Sequence, residues 1–287
     1  MIFNLSLMMK PYFIQRLQDA QTISDSMVCV GLDPDLNKLP KSLRKRYRSP
    51  QSAVLAFNEA IIQATVPYAC AYKLNAAFYE SLGSCGFDVL KTTVDFIPKD
   101  KIRIIDAKRG DIGNTASKYA ESIFGLLEAD GCTVAPYMGL DAVEPFLAYK
   151  DRAVFVLVRT SNPSSDQLQS LMIYGEPLYA HVAHLAFTWG KELPGSIGFV
   201  VGATNPTELL HLRKLYSSTP FLIPGIGAQG GSIDAVANVA TSNGLVLVNS
   251  SRGILYASSD GDFDAMAANA ARQLRDELNR AINSHAD

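Results

Sequence analysis

Short, continuously apolar segments alternate with helical segments along this chain of 287 residues. Continuous apolar strands that are separated by helices are typical of a parallel sheet covered by those helices. We predict eight such strands, at Met27–Asp33, Ala69–Asn75, Ile102–Lys108, Cys132–Pro136, Ala153–Val158, Ile197–Gly202, Phe221–Pro224 and Leu245–Asn249.

Helical periodicity, capping residues and breaks define the segments between these strands. An N-terminal helix is predicted over Lys10–Ala20, and Ser49 is predicted to cap a helix that has Pro50 at its first position. Two segments, Lys41–Arg48 and Arg159–Tyr174, are predicted as loops. The remaining helices are predicted at Pro50–Thr65, Phe78–Phe96 with a break near Gly83–Gly86, Thr115–Ala129, Asp141–Tyr149, Pro177–Glu192, Pro206–Tyr216, Ser232–Ser242 and Phe263–Asn283.

Eight strand–helix units in a chain of this length predict an α/β fold, a single (β/α)8 TIM barrel over residues 1–287 with an N-terminal helix preceding strand one. An open doubly wound sheet is the alternative. It needs strands of unequal burial and a switch point, and the sequence shows neither. No shift in composition and no linker marks a domain boundary.

Charge and hydropathy narrow the class of protein. The formal net charge of −2 argues against a nucleic-acid or membrane-surface partner. No apolar run approaches the roughly 20 residues that span a bilayer. The first nine residues have neither a basic region nor a cleavage site, which argues against a signal peptide. The four cysteines lack metal-ligand or redox spacing and are predicted to be buried free thiols, so we expect a cytoplasmic protein.

The segment 103–119, RIIDAKRGDIGNTASKY, carries the clearest chemical pattern. A strand rich in isoleucine ends abruptly in charges that include Asp106, Lys108 and Asp111. Because side chains alternate along a strand, Asp106 and Lys108 should point the same way, whereas Asp111 belongs to the following loop. A surface turn with solvated ion pairs is the alternative. The apolar strand that precedes the charges disfavours it.

Polar residues also follow most of the other predicted strands. In a (β/α)8 barrel the active site lies at the C-terminal ends of the strands, so these residues should meet at one face. An ion-pair lattice without function is the alternative for the charged members of this set. The residues are Asp33, Lys73, Asn75, Asp106, Lys108, Asp111, Ser161, Asn162, 225–231, Ser250, Ser251 and Arg252.

The segment 225–230, GIGAQG, matches the pattern G-x-G-x-x-G. A dinucleotide site is disfavoured, because the motif follows the seventh strand and no acidic residue lies about 20 residues further on. In a barrel, the loops after strands seven and eight usually bind phosphate. Glycine backbone N–H groups, the Gln229 amide and the Arg252 guanidinium are therefore predicted to bind a phosphate group. A glycine-rich turn without function is the alternative.

Taken together, these segments resemble the orotidine 5′-phosphate decarboxylase family, in its longer bacterial subgroup. The resemblance rests on DAKRGDIGNT at 106–115, GLD at 31–33, YK at 72–73, RTSNP at 159–163, PGIGAQGG at 224–231 and SSRG at 250–253. The D-x-K-x-x-D element alone is shared with 3-keto-gulonate-6-phosphate decarboxylases and hexulose-phosphate synthases. Those relatives bind magnesium through an acid at the end of strand two, where this chain has Lys73, whose ammonium cannot ligate a metal.

The resemblance implies the conversion of orotidine 5′-monophosphate (OMP) to uridine 5′-monophosphate (UMP) and carbon dioxide, in pyrimidine biosynthesis, without a metal or cofactor. It implies that Lys108, held by Asp106 and Lys73, stabilises and protonates the carbanion at pyrimidine carbon 6. The implied contacts are Asp33 and Lys73 with the ribose hydroxyls, Ser161 with the pyrimidine amide, and Gln229 and Arg252 with the phosphate; Pro224 and Gly230 complete the substrate-binding set.

The resemblance also implies a homodimer, in which Asp111 enters the neighbouring subunit's site with Thr115 beside it. Two other classes of function remain open at this point. One is a magnesium-dependent sugar-phosphate lyase, against which Lys73 argues. The other is a non-catalytic protein that binds a phosphoribosyl ligand, against which the intact charged set of Asp106, Lys108 and Asp111 argues.

Overall fold

The computed structural model describes residues 12–226, 230–241 and 244–286. Within them, eight parallel strands close into a barrel in which each strand pairs with the next along the chain and the last pairs with the first. The predicted (β/α)8 fold is therefore confirmed, whereas the assignment of residues 1–287 to one domain stays a prediction. The strands β1 to β8 are Val28–Gly31, Ala71–Asn75, Ile102–Arg109, Gly131–Val134, Ala153–Arg159, Ser196–Val201, Phe221–Pro224 and Val246–Ser250.

The helices of the described residues surround this barrel. Helices α1 to α13 are Tyr12–Ser24, Lys41–Arg46, Pro50–Thr65, Ala76–Glu80, Gly86–Phe96, Gly113–Ala120, Glu144–Leu147, Asp166–Gln169, Leu178–Glu192, Pro206–Leu215, Ile233–Thr241, Arg252–Leu255 and Phe263–Ala286. Shorter 3-10 segments lie at Val66–Tyr68, Leu140–Ala142 and Pro163–Ser165, and Glu121–Leu126 is a π-helix. No helix in these parts of the chain is long and apolar enough to cross a membrane.

Several predicted loops and helices differ from the structure. The segment 41–48, predicted as a loop, contains α2, because Leu43 and Tyr47 pack against the core and stabilise a helical turn. The long loop after β5 contains a 3-10 turn, α8 and an antiparallel hairpin of Met172–Ile173 with Glu176–Pro177. Cys85 is exposed, so the prediction that every cysteine is buried was wrong for this one.

The N-terminal end of the barrel is closed by α1. Phe13 and Leu17 of this helix are fully buried and belong to the apolar cluster inside the barrel. The Phe13 ring meets the Phe155 ring edge-on, with centroids 5.9 Å apart. Burial of such large apolar side chains makes this end a packed plug, so the open end is the C-terminal one.

A buried ion cluster joins α1 to the same end of the barrel. The Asp130 carboxylate is fully buried and accepts hydrogen bonds from Arg16 of α1, from Arg103 Nε at 3.1 Å and from Arg152 Nη1 at 3.3 Å. Because unpaired buried charges are costly, these arginines and the aspartate fix one another's positions. This charged cluster lies at the strands' N-terminal ends and is structural.

Candidate active site

A cavity of about 610 Å³ opens at the C-terminal ends of the barrel strands. Its volume is in the range of sites that enclose small molecules, about 300–1,000 Å³. Leu157, Val200 and Leu222 form an apolar floor, above which the lining is polar. The predicted residues that line it are Asp33, Lys73, Asn75, Asp106, Lys108, Ser161, Asn162, Pro224, Gly225, Ser250, Ser251 and Arg252.

Four of these side chains form a row of alternating charges: Asp33, Lys73, Asp106 and Lys108. The parallel register places Gly31 beside Lys73 and Asn75 beside Asp106, so the charged ends of β1, β2 and β3 are adjacent. Lys73 Nζ lies 3.0 Å from Asp106 Oδ2 and 3.7 Å from Asp33 Oδ1. Lys108 Nζ lies 2.6 Å from Asp106 Oδ1, so one carboxylate accepts hydrogen bonds from two ammonium groups.

Both buried members of this row stay charged near neutral pH. Burial alone would raise the pKa of Asp106, but Lys73 and Lys108, with hydrogen bonds from Lys108 and Thr133, hold that pKa well below its usual value. Burial alone would lower the pKa of Lys73, but the charges of Asp33 and Asp106 raise it above its usual value. The Lys108 side chain is 48% exposed, so its ammonium remains accessible from the cavity.

The backbone at Lys108 is unusual. Its φ is 47°, in the left-handed region that residues other than glycine seldom adopt. Strand β3 also changes register here, since Ile105 pairs with Cys132 but Arg109 pairs with Val134. Such backbone strain persists only where the surroundings hold it, and it is enriched at functional sites. The nearest support is Thr133 on β4, whose Oγ1 accepts a hydrogen bond from the Lys108 N–H at 3.0 Å.

The loop after β1 is tied to the loop after β8. The Tyr256 hydroxyl accepts a hydrogen bond from Asp35 N at 2.7 Å and donates one to Asp33 O at 3.1 Å. The Asp33 carboxylate also accepts a hydrogen bond from the backbone N–H of Asn75 at 3.2 Å. The position of Asp33 is thus set from β2 and from the β8 loop, which no local sequence pattern indicates.

The loop after β5 is ordered by Arg159, which sequence reasoning left without a role. Its buried guanidinium donates to Ser165 Oγ at 2.9 Å and to Asp166 Oδ1 at 2.6 Å. Gln169 closes the same loop, since its Oε1 accepts from Thr160 N at 2.9 Å. These contacts keep the loop that carries Ser161 against the cavity.

On the β8 side of the cavity, next to the loop after β1, Arg252 begins α12 and forms no ion pair with any residue that the structure describes. Close approach of its loop depends on Gly31, where a Cβ atom would lie 1.8 Å from Ser251 Oγ. Gly225 lines the cavity and has a φ of 103°, which suits glycine. A free guanidinium beside a glycine-rich turn is suited to bind an anion.

Comparison with known proteins shows which family the chain belongs to. The model of the "Orotidine 5'-phosphate decarboxylase / HUMPS family" matches residues 26–263. The chain belongs to this family. A protein of Dehalococcoides mccartyi strain BAV1, named orotidine 5'-phosphate decarboxylase, is 46% identical over 273 residues, 93% of this chain and 97% of the relative. A protein of the same name from Cupriavidus necator is 44% identical over 275 residues, 93% of this chain and 98% of the relative.

A solved structure agrees with these relatives. Leishmania donovani OMP decarboxylase is 36% identical and superimposes with a TM-score of 0.80, covering 95% of this chain and 99% of that one. The family predicted from the sequence is therefore confirmed, and with it the enzyme class, a carbon–carbon lyase. Within residues 12–226, 230–241 and 244–286, no group of three or more histidine, cysteine or acidic side chains could hold a metal ion.

Three predicted site residues of the decarboxylase motifs lie outside this cavity. Asp111 and Thr115 follow β3 but do not line this chain's own cavity. The Asp111 carboxylate accepts a hydrogen bond from Ile112 N at 2.8 Å, on the rim of the barrel. Gly230 is described, with a φ of 74°, and does not line the cavity either. Gln229 lies outside the described residues.

Proposed function

We propose that this chain is an orotidine 5′-phosphate decarboxylase that converts OMP to UMP and carbon dioxide and uses no metal or cofactor. The observation that carries the proposal is the row of alternating charges in the cavity, in which Asp106 holds the ammonium groups of both Lys73 and Lys108. A magnesium-dependent relative needs an acidic ligand at the end of β2. This chain places Lys73 there, within hydrogen-bond distance of Asp106.

The chemistry requires a fixed positive charge. When the bond between carbon 6 and the carboxylate breaks, its electron pair stays on carbon 6 as a vinyl carbanion without a π-system to delocalise it. An ammonium held in place beside that carbon stabilises the charge most strongly where water is excluded. We assign this role to Lys108, which then gives one of its protons to carbon 6. Asp106 keeps the ammonium charged and in position.

Asp106 also acts on the ground state in this proposal. Its low pKa keeps it ionised, so it repels a substrate carboxylate that lies beside it. That repulsion disappears when carbon dioxide leaves, whereas the attraction between Lys108 and the carbanion grows. The difference between the two states lowers the barrier, because only interactions that are stronger in the transition state accelerate the chemical step.

The remaining contacts of the substrate follow the outline of the cavity. We assign the ribose hydroxyls to Asp33 and Lys73, the pyrimidine amide to Ser161 and the phosphate to Arg252, beside Pro224. The predicted phosphate contacts of Gln229 and Gly230 stay part of this proposal. Binding energy from the distant phosphate then serves to order the loops and orient carbon 6 at Lys108.

We further propose that the enzyme is a cytoplasmic homodimer whose sites each receive Asp111 from the other subunit. Support comes from the position of Asp111 on the barrel rim, outside its own cavity. Large apolar side chains are exposed beside it on the loops after β3 and β4: Ile112 is 49% exposed, Tyr137 87% and Met138 53%. Such a patch on adjoining loops is suited to a two-fold contact between identical surfaces.

Decarboxylation in the presence of excess EDTA tests the activity directly. We expect the purified enzyme to convert OMP at the same rate with and without the chelator, because no step uses a metal. Loss of the orotate absorbance follows the reaction, and a magnesium-dependent enzyme serves as the control for chelation. An enzyme that loses activity in EDTA and regains it with magnesium is the lyase alternative, and one inactive in both is not a decarboxylase.

Replacing Arg252 tests the phosphate contact. Arg252→Ala is expected to lower kcat/KM for OMP by about 100-fold or more, since hydrogen bonds to charged groups contribute about 1.5–3 kcal/mol each. Turnover of orotidine, which lacks the phosphate, should hardly change. Arg272→Ala, on the exposed face of α13, is the matched control and should alter neither. Equal losses on both substrates would assign Arg252 a different role.

A further inference from the structure

We infer that Thr133 is a positioning residue for the decarboxylation: its hydroxyl sets the place of the Lys108 ammonium relative to the Asp106 carboxylate. The inference rests on the proposed function, since it concerns the catalytic use of those two groups. Thr133 lies on β4, only 2% of its surface is exposed, and it reaches the wall of the cavity between the two residues.

The Thr133 hydroxyl makes one hydrogen bond to each partner. Its Oγ1 lies 3.0 Å from the backbone nitrogen of Lys108 and 2.8 Å from Asp106 Oδ1. Lys108 Nζ donates to the same Oδ1 at 2.6 Å. One hydroxyl therefore links the backbone of Lys108 to the carboxylate that holds the tip of the same lysine side chain, and closes a ring of contacts.

The direction of both hydrogen bonds is fixed by chemistry. A backbone N–H can only donate, so Thr133 Oγ1 accepts from Lys108. The Asp106 carboxylate is ionised and can only accept, so the single hydroxyl proton points to it. The bond to Asp106 is charge-assisted and is of the stronger class. Threonine is also β-branched, which restricts its χ1 rotation and keeps Oγ1 between its two partners.

The register shift explains why a side chain is needed at this point. Between Ile105 and Arg109, β3 advances four residues while β4 advances two. The Lys108 N–H therefore has no carbonyl partner on the regular ladder, and a partly buried N–H that is left without an acceptor is destabilising. Thr133 supplies the missing acceptor and so holds Lys108 in its left-handed conformation, with a φ of 47°.

Two variants of Thr133 separate positioning from packing. Thr133→Val keeps the shape and removes both hydrogen bonds, whereas Thr133→Ser keeps the hydroxyl and removes a methyl group. We expect Thr133→Val to lower kcat for OMP by about 10- to 100-fold with KM changed by less than about threefold, because binding contacts remain while Lys108 moves. Thr133→Ser should restore kcat to within about threefold of the unaltered enzyme.

Thr93→Val is the matched control. Thr93 is also a fully buried threonine, on α5, and its hydroxyl donates to Val89 O and accepts from Asn58 Nδ2. Its replacement removes one donated and one accepted hydrogen bond, as Thr133→Val does, but outside the cavity. Denaturant unfolding should therefore show a similar loss of stability without a loss of kcat. A merely structural Thr133 would behave like Thr93.

Several outcomes would overturn the inference: an unchanged kcat in Thr133→Val, a rise in KM alone, or a Thr133→Ser variant as slow as Thr133→Val. Carbon-13 NMR of the Asp106 carboxyl at neutral pH provides a readout that needs no turnover. Its chemical shift should change in Thr133→Val, which removes a hydrogen bond to the carboxylate, and return in Thr133→Ser. If the unaltered enzyme does not decarboxylate OMP, the proposed function fails, and the chemical shift still decides whether Thr133 governs this pair.

Discussion

Replacing Lys108 by alanine is expected to lower kcat for OMP decarboxylation by at least about 10⁴-fold. The proposed role combines two effects in one group. Removal of a proton donor costs about 10²–10⁴-fold, and removal of a preorganised electrostatic partner costs about 10²–10³-fold. Lys73 cannot take over this role, because its ammonium is already held between Asp106 and Asp33.

Binding should survive the same change. The contacts proposed for the ribose and phosphate come from other residues, so the affinity for the product UMP should change far less than kcat. Isothermal titration with UMP measures this affinity, and steady-state absorbance measures kcat. Lys118→Ala is the matched control, since Lys118 is an exposed lysine on α6 that forms an ion pair with Glu121 at 2.6 Å. It should leave both quantities unchanged.

A Lys108→Ala enzyme that retains more than about a hundredth of the original kcat would contradict the role of Lys108 as central cation and proton donor. A large loss of UMP affinity with an unchanged kcat would instead make Lys108 a binding residue. Near-ultraviolet circular dichroism of the variant shows whether the barrel is intact. Since Lys108 is half exposed and outside the apolar cluster, we expect a native spectrum.

The fold could be predicted from the sequence because each strand is recognisable from its own residues alone. A strand such as Phe221–Pro224 is apolar throughout. Eight such strands are typical of a parallel sheet that is buried on both faces. The proximity of Lys73 to Asp106 could also be predicted from the barrel fold, since neighbouring parallel strands end at the same face. Their actual pairing distance of 3.0 Å is a result of the register between β2 and β3.

The supporting contacts could not be predicted, because they depend on geometry between distant segments. Thr133 matters through the register shift of β3 against β4, and nothing in the sequence GCTV of that strand indicates the shift. Tyr256 reaches Asp33 over more than 200 residues of chain. Helix α2 was missed for a related reason: its stability comes from side chains that pack on the core, and its own sequence reads as a solvated basic loop.

The proposed sharing of sites between subunits predicts a second large effect, which can be measured by mixing inactive variants. Asp111 leaves the end of β3 three residues after Lys108, yet it does not line the cavity that contains Lys108. In the proposed dimer it completes the other subunit's site instead. Lys108→Ala and Asp111→Ala should therefore each be nearly inactive as pure proteins.

Mixing these two variants under conditions of subunit exchange should restore activity. Each heterodimer has one site with both lesions and one site with neither, because the intact Lys108 of one chain meets the intact Asp111 of the other. Random exchange gives about half heterodimers, so about a quarter of all sites should work. The measured kcat per total site should approach about a quarter of the original value.

A second mixture distinguishes shared sites from any general effect of mixing. Asp106 and Lys108 belong to the same cavity of the same chain, with 2.6 Å between carboxylate and ammonium. Lys108→Ala mixed with Asp106→Asn therefore gives heterodimers in which each site keeps one lesion, and no activity should return. Exchange itself is followed by native mass spectrometry of isotope-labelled chains. If exchange occurs and the first mixture stays as inactive as the second, Asp111 acts within its own chain and the sites are not shared.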